Sequence, residues 1–140
     1  MKNLIPLLAT SLATVLAAAL PGAGPARAAD IVVIVHPSAI APTREQVADV
    51  YLGKSRAFTP LDQVEAAPIR AEFYRKAAGR DPSQVKMVWA RLVFTGKGLP
   101  PKEFAGADAV KKAVAADLKA IGYIDNSQVD ATVKAALRLD

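Results

Sequence analysis

Cysteine is absent from the 140 residues, and histidine occurs once, at His36. The first absence excludes a disulfide framework, thiol chemistry and any thiolate metal site, so the chain must stand on apolar burial alone. The second excludes a metal site built on histidine pairs, and no metal or cofactor is expected. A Ser-His-Asp set drawn from Ser38 and His36 is no better supported. Two residues apart on one extended segment, they do not face each other, and His36 reads as a strand-end residue turned to a loop or to solvent. Gly53-Lys54-Ser55 resembles the end of a phosphate-binding loop, but the glycine required five positions earlier is Ala48, and this segment closes a helix rather than opening one. No pair of titratable groups has credible catalytic geometry, so binding rather than catalysis is expected.

What is present begins at the N-terminus. Lys2 is the only charge before Arg27, and an apolar stretch from Leu4 to Leu20 separates them. A turn, Pro21-Gly22-Ala23-Gly24-Pro25, follows, and Ala26-Arg27-Ala28 then supplies small residues for cleavage after Ala28. Residues 1–28 therefore read as a secretory signal peptide. Pro6 and Pro21 shorten the apolar stretch below the length a spanning helix needs, so no stable membrane insertion is expected after cleavage. Loss of Lys2 and Arg27 takes the formal charge from +5 to +3, which gives little reason to expect a nucleic-acid partner. Residues 29–140 read as one small domain exported to the periplasm.

Within that domain, Ile31-Val32-Val33-Ile34-Val35 is apolar on both faces and reads as a central, parallel strand covered by helices on each side. Thr43 opens a helix by the capping-box rule with Gln46; Val47, Val50 and Tyr51 form its buried stripe and Gly53 closes it. Ala57 to Val64 reads as a second, looser strand. Pro68 starts a helix with Ile69, Phe73 and Ala77 inward and Glu72 paired with Lys76 outward. Asp81 and Pro82 open another, in which Val85, Val88, Trp89 and Leu92 follow helical spacing; Trp89 and Phe94 read as packing aromatics. Arg75, Lys76, Arg80 and Lys86 read as a solvated basic face. Thr95 to Pro101 is a loop, Ala107 to Leu118 a helix, Ile121 to Ile124 a strand, and Val133 to Leu139 a last strand with weak alternation. The alternation of strands and helices predicts a three-layer α/β lobe with a mixed, mostly parallel sheet flanked by helices.

Four segments, in order, carry a resemblance. Ile31 to Pro37 followed by Glu45 to Lys54 resembles the strand and "xQLxxIFxGK" helix of phosphate ABC transporter substrate-binding proteins. Pro68-Ile69-Arg70-Ala71-Glu72-Phe73-Tyr74 lies where that family has "GSGTRxxF", and Ala120 to Ile124 is similar to its "AIGYV" strand. Phe94 to Gly98 with Pro100-Pro101 is typical of the family's short, stand-alone branch. The resemblance implies a type II periplasmic-binding-protein architecture reduced to one lobe, open to water where a second lobe would close. It also implies an anion site at the helix start, with Ser38, Ala67, Ile69 and Arg70 as the ligand-binding positions. Ala67 and Ile69 stand where the family's serine and threonine donate hydroxyls, and Gln63 stands where it has an arginine. Two functions remain open: binding of phosphate or another small oxyanion for a transporter permease or a sensor, with a second copy (a homo-oligomer) or another protein completing the cleft, or contact with an envelope protein by a lobe that has lost its ligand.

Overall fold

β-branched side chains crowd a helix and suit a pleated, half-buried surface, and the run from Ile31 to Val35 forms β1 with every residue buried. The computed structural model describes residues 29–140; the signal segment expected over residues 1–28 lies outside the described residues. After β1 come α1 (Arg44–Tyr51), β2 (Thr59–Gln63), α2 (Pro68–Ala78), α3 (Pro82–Phe94), β3 (Lys102–Phe104), α4 (Ala107–Ala116), β4 (Ala120–Asp125) and β5 (Lys134–Leu139). The five strands make one mixed sheet in the order β3-β2-β4-β1-β5. Four of them run in one direction, and β1 alone runs against its neighbours, antiparallel to both β4 and β5. The expectation that β1 is central holds; that it is parallel does not. An apolar run reports burial on both faces, and an antiparallel strand between two layers of helix is buried in the same way.

Alternation along β1 divides the core. Ile31, Val33 and Val35 face Tyr51, Phe73 and Tyr74 from α1 and α2, whereas Val32 and Ile34 face Val110 and Val114 of α4. The sheet is thus the middle of three layers. The capping box read from the sequence forms, Thr43 with Gln46, and the N-cap expected at Asp81 proves to be a second box, closed by Gln84. In β5 the register slips by one residue opposite Val33 and Ile34; such a bulge takes one side chain out of the inward-outward order, which explains the weak alternation.

α3 departs from its expected role. Val85 is buried, but Val88, Trp89 and Leu92 are only half-buried. The helix leans on the end of α1 instead of on the sheet: Trp89 Nε1 donates to the Tyr51 carbonyl at 3.1 Å. Gly53, at φ +74°, permits this, since a Cβ there would lie 2.4 Å from Leu92 Cδ1. Close approach also governs Gly122 on β4, where a Cβ would lie 2.6 Å from Val110 Cγ1 and 3.3 Å from Val114 Cγ2. Gly122→Ala should therefore lower unfolding free energy by about 1–3 kcal/mol through overpacking against α4. Urea denaturation measures this, and Val110→Ala in the same chain should return part of the loss.

Candidate functional site

Strands β2 and β4 pair as a ladder only at Thr59 and Pro60 and then part. Side chains close the gap. The Tyr51 hydroxyl sits between the Leu61 and Ile121 carbonyl oxygens, at 2.8 and 3.1 Å, and Gln63 Nε2 donates to the Tyr123 carbonyl at 2.9 Å. At the parting lies Asp62, with 2% of its surface exposed. Its carboxyl accepts from the Tyr74 hydroxyl at 2.5 Å, from the Tyr123 hydroxyl, and from the Gln63 N–H at 2.8 Å. Burial first, and then the charge of Asp62, push both phenols far above their ordinary range, so both remain protonated donors.

Arg70 sits over this centre at the third residue of α2. Its Nη1 donates to Glu103 Oε1 at 2.6 Å and to the Gln63 carbonyl at 2.9 Å, and its Nε lies 3.7 Å from Asp62 Oδ2. Burial alone would lower the guanidinium pKa; the hydrogen bond to Glu103 and the field of Asp62 outweigh it and hold the value above normal. Glu103 arrives on β3, whose parallel register with β2 sets it opposite Asp62. The strand begins just beyond the loop expected over Thr95 to Pro101, and Glu103 is not among the site residues the sequence suggests. Three residues after Pro100-Pro101 are too few for a periodic signal.

Of the four expected positions, Ala67, Ile69 and Arg70 come together at the start of α2, and Ser38 does not join them. β1 runs against β2, so the turn after β1 lies at the opposite end of the sheet from the turn after β2. There the Ser38 N–H donates to His36 Nδ1 at 3.0 Å, in a turn closed by the Ala39 N–H on the His36 carbonyl. Ala67 is the N-cap of α2 and makes no side-chain cap. Pro68 has no N–H, and the Arg70 N–H already donates to the Ala67 carbonyl at 3.1 Å. Ile69 thus supplies the one N–H of these three positions that meets no backbone carbonyl among the described residues. An anion cradle at a helix start needs several outward N–H groups and neighbouring donors; here one N–H is offered, and the one arginine is held by two carboxyl groups.

No protein-family model and no curated protein matches the sequence. Solved structures do. One, described as a phosphate ABC transporter substrate-binding protein with bound phosphate from Clostridium perfringens, superposes with a TM-score of 0.61 at 21% identity, covering 77% of this chain and 44% of that one. A second, an ABC-type phosphate transport receptor from Vibrio cholerae, gives 0.58 at 18% identity over 76% of this chain and 45% of that one. The chain has the fold of one periplasmic-binding-protein lobe. It spans a little under half the length of these two proteins, which are described as transport proteins. Among the described residues of the lobe, no helix is long and apolar enough to cross a membrane.

The carboxyl groups that tie the lobe together set its acid limit. Burial would raise the Glu72 pKa, but the Ala29 N–H at 3.0 Å and the Lys76 ammonium at 3.2 Å outweigh it and lower the value. The Asp81 cap, Asp125 beside Ser127, and Asp130 are also lowered, Asp130 to about 2 by Thr132 and Lys111. A lowered folded pKa gives stability that is present above the unfolded value and lost as pH falls through the folded one. Stability should therefore be level above pH of about 5 and fall between about 4 and 2, as measured by urea midpoints across that range.

Proposed function

We propose that this chain is an exported, solute-binding-protein-like lobe of the bacterial cell envelope that acts by contacting an envelope protein, and that its former anion site no longer holds a free oxyanion unaided. The observation that carries this reading is the occupancy of Arg70: Glu103 at 2.6 Å and Asp62 at 3.7 Å already neutralise it. An incoming phosphate would have to displace Glu103 and then sit beside Asp62. Ala67 and Ile69 offer no hydroxyl to offset that repulsion. Each hydrogen bond to a charged group contributes about 1.5–3 kcal/mol, so two missing donors cost roughly two to four decades in affinity. The open face adds to this, since binding pockets ordinarily bury most of their ligand.

A second reading has its own support. Arg70, Ala67 and Ile69 still lie at a helix start, and the two structural relatives are described as phosphate transport proteins. On that reading the lobe holds phosphate or a related small oxyanion for an ABC transporter permease, with a second copy or another protein covering the cleft. Calorimetric titration of the purified protein with phosphate at low salt separates the two. No saturable heat up to millimolar phosphate is the expected result; saturable micromolar binding that Arg70→Ala weakens would establish the second reading in place of the first.

A further inference from the structure

Two hollows meet at Trp89. The larger, about 580 Å³, lies between α2, α3 and β3, with Tyr74, Val85 and Trp89 along its base and Val93 and Phe94 on its wall. The smaller, about 410 Å³, runs on toward Gly53, Phe58 and Leu99. Trp89, Pro100 and Pro101 line both, so the two hollows adjoin at these residues and together make up a trough on this face. Phe94 is 91% exposed and Leu99 80%. Phe94 therefore does not pack in the core as its spacing implied: α3 ends at that residue and presents the ring to water. Contiguous exposed apolar side chains on a small domain mark an interaction surface, and aromatic anchors carry most of the binding energy of such surfaces.

The charges are sorted along the trough. At one end stand Asp62, Glu65 and Glu103, with Arg70 committed to two of them and Lys86 the other basic residue. At the far end stand Arg56, Lys97 and Lys102, and none of the described residues lining that hollow is acidic. Arg56 Nη2 donates to the Lys97 carbonyl at 2.7 Å, which fixes the basic end against the Pro-Pro loop. A small oxyanion matches only one end and leaves the apolar length uncovered. A polypeptide segment matches all three parts.

We propose that this trough docks a segment of a partner protein, with apolar side chains over Trp89 and Phe94, a lysine or arginine at the Glu65–Glu103 end, and an aspartate or glutamate at the Arg56–Lys97–Lys102 end. The proposal rests on the reading that the lobe works through a protein partner, and it adds where that partner sits and what its chemistry is. Complementary charge at both ends sets direction as well as affinity, because reversing the segment would place like charges together.

A phage-displayed peptide library selected on the purified protein tests it, with each enriched peptide titrated by the emission of Trp89, the only tryptophan. Peptides with an apolar centre flanked by a basic residue on one side and an acidic residue on the other, in constant order, are expected. They should shift Trp89 emission, and Phe94→Ser should weaken them by at least about tenfold. Glu65→Lys should weaken the same peptides, and exchanging the peptide's basic residue for glutamate should restore binding to that variant. Phe94 and Glu65 are both exposed, so neither change disturbs the core. The proposal is overturned if enriched peptides show no charge order, if binding ignores Phe94→Ser, or if sedimentation shows the chain dimerising through Phe94, which would make a second copy the occupant. Phosphate is titrated in parallel by calorimetry. Absence of both peptide and phosphate binding sinks the docking site alone, whereas saturable phosphate binding sinks the parent reading.

Discussion

Asp62→Ala is expected to lower unfolding free energy by about 3–5 kcal/mol, a large part of what a domain of this size possesses. The substitution strips the shared acceptor from the Tyr74 and Tyr123 hydroxyls, both buried, and leaves Arg70 with one carboxyl partner instead of two. Each buried donor left without an acceptor costs about 1–3 kcal/mol. It also loosens the point at which β2 leaves β4, where side chains replace the ladder. Urea unfolding followed by far-ultraviolet circular dichroism measures the effect. Asp62→Asn, which keeps an acceptor but loses the charge facing Arg70, should fall between the two. A loss below about 1 kcal/mol for the alanine variant would mean that the centre is not structural.

The second large effect is a gain. Ala67→Ser and Ile69→Thr place hydroxyls at the start of α2, and Glu103→Gln frees the Arg70 guanidinium. Combined, they are expected to raise phosphate affinity by roughly two to four decades over the parent chain. The hydroxyl pair without Glu103→Gln should gain much less, because Arg70 would remain engaged at 2.6 Å. Ile69 is half-buried against the core, so some stability is lost with the threonine. Calorimetry on the four combinations separates donor number from arginine release. An equal response with and without Glu103→Gln would show that the ion pair does not control the site.

Much of the architecture was legible because local rules act within a turn or two of sequence. Thr43 with Gln46, Asp81 with Pro82, and Pro68 each mark a helix start by chemistry confined to a few residues, and the core stripes of α1 and α2 follow from spacing. The direction of β1 was not legible. Apolar residues record that a strand is covered, not which way its neighbours run, and that one unknown separated Ser38 from Arg70 by the length of the sheet. Phe94 shared the helical pattern yet lies where α3 ends, beyond the layer it was expected to join.

Of the candidate site, resemblance alone marks Ala67, Ile69 and Arg70, and the hydroxyls that the first two lack. Asp62 gave a weaker signal: a lone acidic residue within a strand-like stretch, a place such residues disfavour unless a partner compensates them. Tyr74 and Tyr123 are those partners, from elements 12 and 61 residues away in sequence, and nothing local announces them. Glu103 was hidden for the same reason, since its contact with Arg70 spans 33 residues and depends on a three-residue edge strand.

Site-resolved nuclear magnetic resonance of the protein during phosphate titration tests the occupancy of Arg70 most directly, through the Arg70 side-chain Nε–H and the Ile69 backbone N–H. In the parent chain both signals are expected to stay in place through millimolar phosphate, and in Glu103→Gln both should move. Saturable movement of the two signals in the parent chain at micromolar phosphate would contradict the account, because it would show that Glu103 does not hold the site closed.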